Sequence, residues 1–251
     1  MRIFLDAGHN HSGWNTGAVG NGMREQDITF EVTAELGRIL ERAGFEVRLS
    51  RPTLETNLGH DNNSAVNARW QMANAWGADY FISLHVNAGG GTGAETLYYR
   101  GDSLEFATVM QDVYSKAMGL RSRRVWHRMD IGVLRHTQMP SILVELAFID
   151  SPANNPDLDI LRNRRTDMAA AVAKGLFEYL GINFEEDEDM DMGAEERFNS
   201  ISEVPAWAQD TITRLVERGL LQGDGDGLDL SRDMVRIFVV HDRAGLYSIT
   251  N

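Results

Sequence analysis

Between Met1 and Leu180, short apolar runs alternate with longer segments of helical period, and this alternation restricts the fold more than any other feature. MRIFLDA reads as a short buried strand. Residues 27–43 place Ile28, Val32, Leu36, Ile39 and Leu40 on one helix face, and Gly44 stops that helix. FEVRLS alternates as a second strand, ended by Pro52. SAVNARWQMANAWGA reads as a helix, DYFISLHV as a buried strand, AETLYYR as another strand, and 103–118 as a helix. IGVLR and SILVELAFI follow, both short and apolar, and bring the strands to about six. The last helix of the region lies within 163–180, with Ala169, Val172, Leu176 and Leu180 on one side. Such an order predicts an α/β fold: a twisted, mostly parallel or mixed sheet flanked by helices. Ligands of these sheets sit beyond the carboxyl ends of the strands.

The alternation stops at an acidic run. FEEDEDMDMGAEE, residues 184–196, holds eight acids and no base, so it repels itself and has little to bury. It predicts a linker between a domain at 1–183 and a small helical module at 197–251. That module reads as helix, glycine turn, helix, with Trp207, Ile212, Leu215 and Val216 on one apolar face and Val235, Phe238 and Val239 on another. It is too small for a large core of its own and is expected to dock or to self-associate. The formal net charge of −13 argues against a nucleic-acid partner. No apolar run is long enough to cross a bilayer, so membrane insertion is not expected. Arg2 is followed by IFL and Asp6, which is a strand start and not an export signal. With no cysteine in the chain, any metal must be held by histidine and carboxylate.

Three residues capable of chemistry stand at the ends of predicted strands. His9 follows the first strand and His85 lies near the carboxyl end of DYFISLHV. Glu145 interrupts an apolar strand between Val144 and Leu146, where a carboxylate is costly to bury without a cation, a metal or a proton. A structural ion pair with an arginine such as Arg135 is the plainer alternative for it. Two histidines and a carboxylate form a common catalytic zinc set with water in the fourth position, and a second carboxylate takes the water's proton. Glu145 can fill only one of those roles. Glu25, after the glycine-rich GAVGNGMR, is the other candidate. The helix-borne H-E-x-x-H pattern is absent.

DAGH, GAVGNGMREQD, ANAWGADYFISLHVNA and MPSILVELAFID, in that order over residues 1–181, resemble the amidase-3 family of zinc N-acetylmuramoyl-L-alanine amidases. The resemblance implies cleavage of the amide between N-acetylmuramic acid and L-alanine in peptidoglycan. It implies zinc (Zn2+) as cofactor on His9, Glu25 and His85, with Glu145 as catalytic base. Asn87 and Arg69 match positions the family keeps and imply supporting roles. Ala7 and Ala147 depart from the family's usual proline and glycine. His11 reads as a loop or substrate-side residue, and His60 and His127 as surface residues. His136 either lines the cleft and binds substrate or is an exposed loop residue.

The tail from Val204 to Val240 resembles one S-layer homology repeat. That implies a secondary cell-wall polymer as partner, or a homo-oligomer formed through residues 197–251. DGDGLD also invites a calcium reading through Asp224, Asp226 and Asp229, although the twelve-residue loop with its final glutamate is missing and a plain turn is favoured. The expectation is a peptidoglycan amidase of endolysin type, made in the host cytoplasm and acting on the wall after release. A zinc peptidase of the stem peptide and a non-catalytic wall-binding protein are the alternatives.

Overall fold

The structure, a computed structural model, describes residues 1–182, 197–223, 227–231, 234–235, 238–239, 242 and 247. The acidic run 184–196, together with Asp224 and Asp226 of the calcium reading, lies outside them. The chain divides into two units, Met1–Phe184 and Glu185–Asn251.

In the first unit β1 (Arg2–Ala7) leads to a small antiparallel pair, β2 (Val19–Gly20) and β3 (Met23–Arg24), and then α1 (Glu25–Arg42). β4 (Glu46–Leu49), α2 (Asn62–Trp76), β5 (Tyr80–Asn87) and β6 (Ala94–Tyr98) follow. After α3 (Leu104–Met118) come β7 (Ser122–His127), α4 (Gly132–His136) and β8 (Ser141–Phe148). α5 (Pro156–Asn163) and α6 (Arg165–Tyr179) close the unit. Six strands form one sheet in the order β4-β1-β5-β8-β6-β7. β4, β1, β5 and β8 are parallel, β6 runs against β8, and β7 runs with β6. This is the expected mixed sheet of six strands.

Helices cover both faces for the reason the sequence shows. The α1 stripe of Ile28, Val32, Leu36, Ile39 and Leu40 is buried with Ile3, Leu5, Ile82 and Leu84 of the sheet and with residues of α3 and α6. On the other face Ala73 of α2 and Val133 and Leu134 of α4 pack against Phe4, Phe81, Leu97 and Leu143. α2 starts sharply: Asp61 accepts a hydrogen bond from Ser64 N at 2.7 Å, and Ser64 answers through its hydroxyl. Gly77 stops it in a left-handed conformation, φ 68°.

One segment departs from expectation. IGVLR is not a strand: Gly132–Arg135 are helical in α4, with Ile131 as its N-cap, and the sixth strand is SRRVWH. A short apolar run does not distinguish buried strand from buried helix. An edge strand with one open face carries charge, which hides it from a search for apolar runs.

In the second unit β9 (Arg197–Phe198) pairs antiparallel with β10 (Leu230–Ser231), and α7 spans Ala206–Glu217. Phe198, Val204, Ala208, Ile212, Leu230, Val235 and Val239 form its core. Leu215 is buried as expected, but Trp207 is 45% exposed and does not belong to the buried face.

Candidate active site

The parallel strands β1, β5 and β8 deliver three side chains to one end of the sheet. His9 stands two residues past β1, where the chain turns in a left-handed conformation, φ 65°, which histidine tolerates better than most non-glycine residues. Its loop is tied down from below. Buried Arg69 of α2 bonds Asp6 Oδ1 at 2.5 Å, Ala7 O at 2.6 Å and His9 O at 2.6 Å. Thr29 Oγ1 and Arg51 Nη1 donate to Gly8 O at 2.8 and 3.4 Å. The His9 ring places Nδ1 3.2 Å from Asn15 Oδ1, which turns Nε2 toward the site.

Glu25 opens α1 and is buried. Its Oε1 lies 3.0 Å from His9 Nε2, 3.1 Å from His85 Nδ1 and 3.0 Å from Val86 N, and its Oε2 accepts from Ala18 N at 2.8 Å. Burial pushes this carboxyl upward, but hydrogen bonds and charge from His85 and His9 outweigh it and hold the group far below the usual carboxylate range. Burial lowers the His85 pKa against the pull of Glu25, which favours the neutral imidazole that metals bind. Two glycines make room. A Cβ at Gly17 would stand 2.6 Å from Glu25 Oε2, and one at Gly8 2.6 Å from His85 Nε2.

His9, Glu25 and His85 each offer a ligand atom, and these atoms lie within 4.8 Å of one another. Zinc bonds of about 2.0–2.2 Å at a tetrahedral angle put donor atoms about 3.3 Å apart, close to the two measured separations. The donor set and its spacing therefore fit a zinc ion.

Glu145 is the register partner of His85 on β8, so both side chains leave the same sheet face. A register shift follows at once: Asn87 pairs with Phe148, so the extra residue lies on β8. Glu145 keeps some exposed surface, but its Oε2 is buried without a hydrogen-bond partner. Burial first, then the charges of Glu25 and Glu95, push this carboxyl up to about 8, against a smaller opposing pull from Arg128. Arg135 makes no ion pair with it among the described residues.

Asn87 donates to Glu95 Oε2 at 3.1 Å, so it supports the carboxylate beside Glu145. His11 lies near Arg24, its Nδ1 3.4 Å from Arg24 Nη2, outside the cluster. His60 and His127 are exposed. His136 is not brought to the site. It is exposed, lies tilted against Trp70 with ring centroids 5.2 Å apart and accepts at its backbone O from Asn74, near the end of the sheet where β8 begins. Asp6, Asn15, Arg51 and Glu95 escaped the sequence reading. A buried aspartate inside β1 was the available signal for Asp6; the others are polar residues like many in the chain.

The sheet and its strand-end group define an α/β protein with two histidines and a carboxylate poised around one point. The chain belongs to the amidase-3 family of N-acetylmuramoyl-L-alanine amidases, whose match covers residues 3–178. It is 36% identical over 156 residues to the N-acetylmuramoyl-L-alanine amidase CwlM of Bacillus licheniformis, covering 60% of this chain and 58% of that protein. The endolysin of Bacillus phage SPP1 is 33% identical over 192 residues, 72% of this chain and 66% of that one. The catalytic domain of the amidase CwlV from Bacillus (Paenibacillus) polymyxa superposes with a TM-score of 0.64 at 28% identity, covering 72% of this chain and 99% of that domain. The chain thus spans under three fifths of the CwlM length and nearly all of the CwlV catalytic domain. Among the described residues no helix is long and apolar enough to cross a membrane.

Proposed function

We propose that this chain hydrolyses the amide between N-acetylmuramic acid and L-alanine in peptidoglycan, with zinc held by His9, Glu25 and His85 and with Glu145 as general base and acid. The observation that carries the reading is the juxtaposition of a three-ligand group with an unpartnered buried carboxylate oxygen on the adjacent strand. When bound, zinc polarises a carbonyl oxygen and brings the pKa of a water to about 7. Glu145 accepts the proton of the attacking water and passes it to the leaving alanine nitrogen. Its raised pKa suits a group that must both take and give a proton. Arg69 holds the His9 backbone, Asn15 orients the His9 ring, and Asn87 with Glu95 borders Glu145 on the far side.

Residues 1–183 form the catalytic domain in this reading, 184–196 the linker and 197–251 a module for wall targeting or self-association, with a secondary wall polymer as its partner. The likeness to a phage endolysin supports an enzyme of that type, acting on the wall after release.

A digest of purified peptidoglycan tests the reading. New L-alanine amino termini without new reducing ends support the amidase. Amino termini within the stem indicate a peptidase, and sedimentation without cleavage indicates a binder. Glu145→Ala is expected to keep its zinc and lose hydrolysis by about a thousandfold or more. Repeating the digest without residues 184–251 tests the targeting half of the proposal.

A further inference from the structure

The face that carries His85 and Glu145 continues past them. Glu145 is the register partner of Glu95 on β6, and Glu95 of Arg124 on β7, so the row His85, Glu145, Glu95, Arg124 crosses four adjacent strands with its side chains on one face. β7 is an edge strand and, among the described residues, pairs only with β6. Its surroundings invert the charge of the chain. In a protein of net charge −13, residues 121–128, RSRRVWHR, hold four arginines and no acid.

Two of those arginines are spoken for. Arg123 bonds Glu95, and Arg128 bonds Asp130. Arg124 is exposed and has no carboxylate partner among the described residues. It is nevertheless fixed in place: its guanidinium lies over the Trp126 ring, 4.3 Å from the centroid. Such stacking occupies the flat face of a guanidinium and leaves its edge of N–H donors free for a two-pronged grip on a carboxylate.

The reach matches the substrate of the proposed reaction, on which this inference rests. Two strand spacings put Arg124 about 10 Å from Glu145 along the row. Beyond the scissile amide the stem peptide advances about 3.5 Å per residue, so a carboxylate on the residue after the alanine falls within an arginine's reach. The interposed Glu95 does not cancel Arg124, because Arg123 and Asn87 already occupy its oxygens. We propose that Arg124, held on Trp126, is a specificity residue that binds a free carboxylate of the stem peptide on the leaving side of the scissile amide. An acidic protein facing an anionic polymer needs a local cation of this kind to orient substrate, since its long-range field repels it.

The test compares two probes, N-acetylmuramoyl-L-alanyl-D-isoglutamate and the same compound with that carboxylate amidated, on the zinc-loaded full chain. The wild type is expected to favour the acid by about tenfold in kcat/KM, mostly through KM. Arg124→Gln should erase that preference and Arg124→Lys should keep part of it. Calorimetric binding of the dipeptide L-alanyl-D-isoglutamate, read beside the kinetics, should weaken in Arg124→Gln by a similar factor. An undiminished preference in Arg124→Gln overturns the proposal while leaving the amidase reading intact. If the wild type neither cleaves the acid probe nor binds the dipeptide, both fall. Binding that depends on Arg124 without cleavage removes the amidase reading and, with it, the assignment of Arg124 to the leaving side of a scissile amide.

Discussion

His9 and His85 bring the same kind of ring to the same carboxylate oxygen, at 3.0 and 3.1 Å, yet they are held in opposite ways. His85 belongs to a central strand. Its backbone is fixed by the ladder, its far nitrogen packs against Gly8, and register alone sets it beside Glu145. His9 stands outside the sheet in a left-handed turn and depends on side chains from three other segments: Arg69 and Arg51 from below, Asn15 from the side. Regular secondary structure positions one half of the site with little extra support. A network of buried polar groups positions the other. The loop-borne half should therefore fail first when that network is cut.

The largest effect is expected at Arg69. It is buried, paired with Asp6, and bonded to three further acceptors between Ala7 and Asn10. Burial raises the Asp6 carboxyl, and Arg69 first, with Ser50 and Ser83, brings it back below its ordinary value. Removing one partner of such a pair leaves an uncompensated buried charge, so Arg69→Met should cost about 3–5 kcal/mol in chemical denaturation. The double variant Arg69→Met with Asp6→Asn should regain much of that stability but not the zinc affinity, because the hold on His9 O is still missing. Full recovery of zinc binding in the double variant would show that the His9 turn does not need Arg69.

The sheet-borne half carries a different cost, the carboxyl of Glu145. Its value in the folded protein, about 8, lies above the unfolded one of about 4.5. Such a group adds stability below pH 4.5 that is lost as pH rises through 8. Glu145→Gln has no such titration. In zinc-free protein its melting temperature should match the wild type near pH 4.5 and exceed it progressively toward pH 8. The corresponding difference in unfolding free energy, from chemical denaturation at each pH, should reach roughly 1–2 kcal/mol after allowance for the solvent-facing side of the residue. A gap that is constant with pH would mean that Glu145 ionises normally and that its unpartnered Oε2 reaches water.

These two halves were not equally legible in the sequence. The sheet half was, because a polar residue inside an apolar run marks itself, as His85 and Glu145 do. Of the network behind His9 only Arg69 was, and through the family resemblance rather than through any pattern in the chain. Arg69 and Asp6 are 63 residues apart, and no periodicity pairs them. Asn15 and Glu95 look like any loop asparagine and any strand glutamate until the fold sets them against His9 and Glu145. His136, which the sequence left open between cleft and surface, is exposed. It precedes β8 whereas Glu145 lies near its carboxyl end, so the strand itself separates them. Chain direction could have predicted that. The exchange of IGVLR for SRRVWH as the sixth strand has the same root, since apolar runs report burial rather than the kind of element, and an open edge strand is charged.

The smallest and most selective way to separate the halves lies at Asn15, where only one hydrogen bond to the His9 ring is at stake. Alanine is the wrong probe. Asn15 itself has φ 56°, so a Cβ without a stabilising side chain adds backbone strain to whatever the ring loses. Asn15→Gly removes Oδ1 and keeps the left-handed turn. It also keeps the backbone bonds to Asn62 Oδ1 and Asn10 N. Stability should then change by less than about 1 kcal/mol. Zinc affinity, measured by competition with a chromogenic chelator, should fall about tenfold, because the ring is no longer held with Nε2 toward Glu25. His85 turns Nδ1 to Glu25, and among the described residues no side chain bonds its other ring nitrogen, so its histidine signals in NMR should stay in place while those of His9 shift. Equal shifts at both rings would show that the two histidines share one rigid frame and that the distinction between sheet-borne and loop-borne support does not extend to the metal.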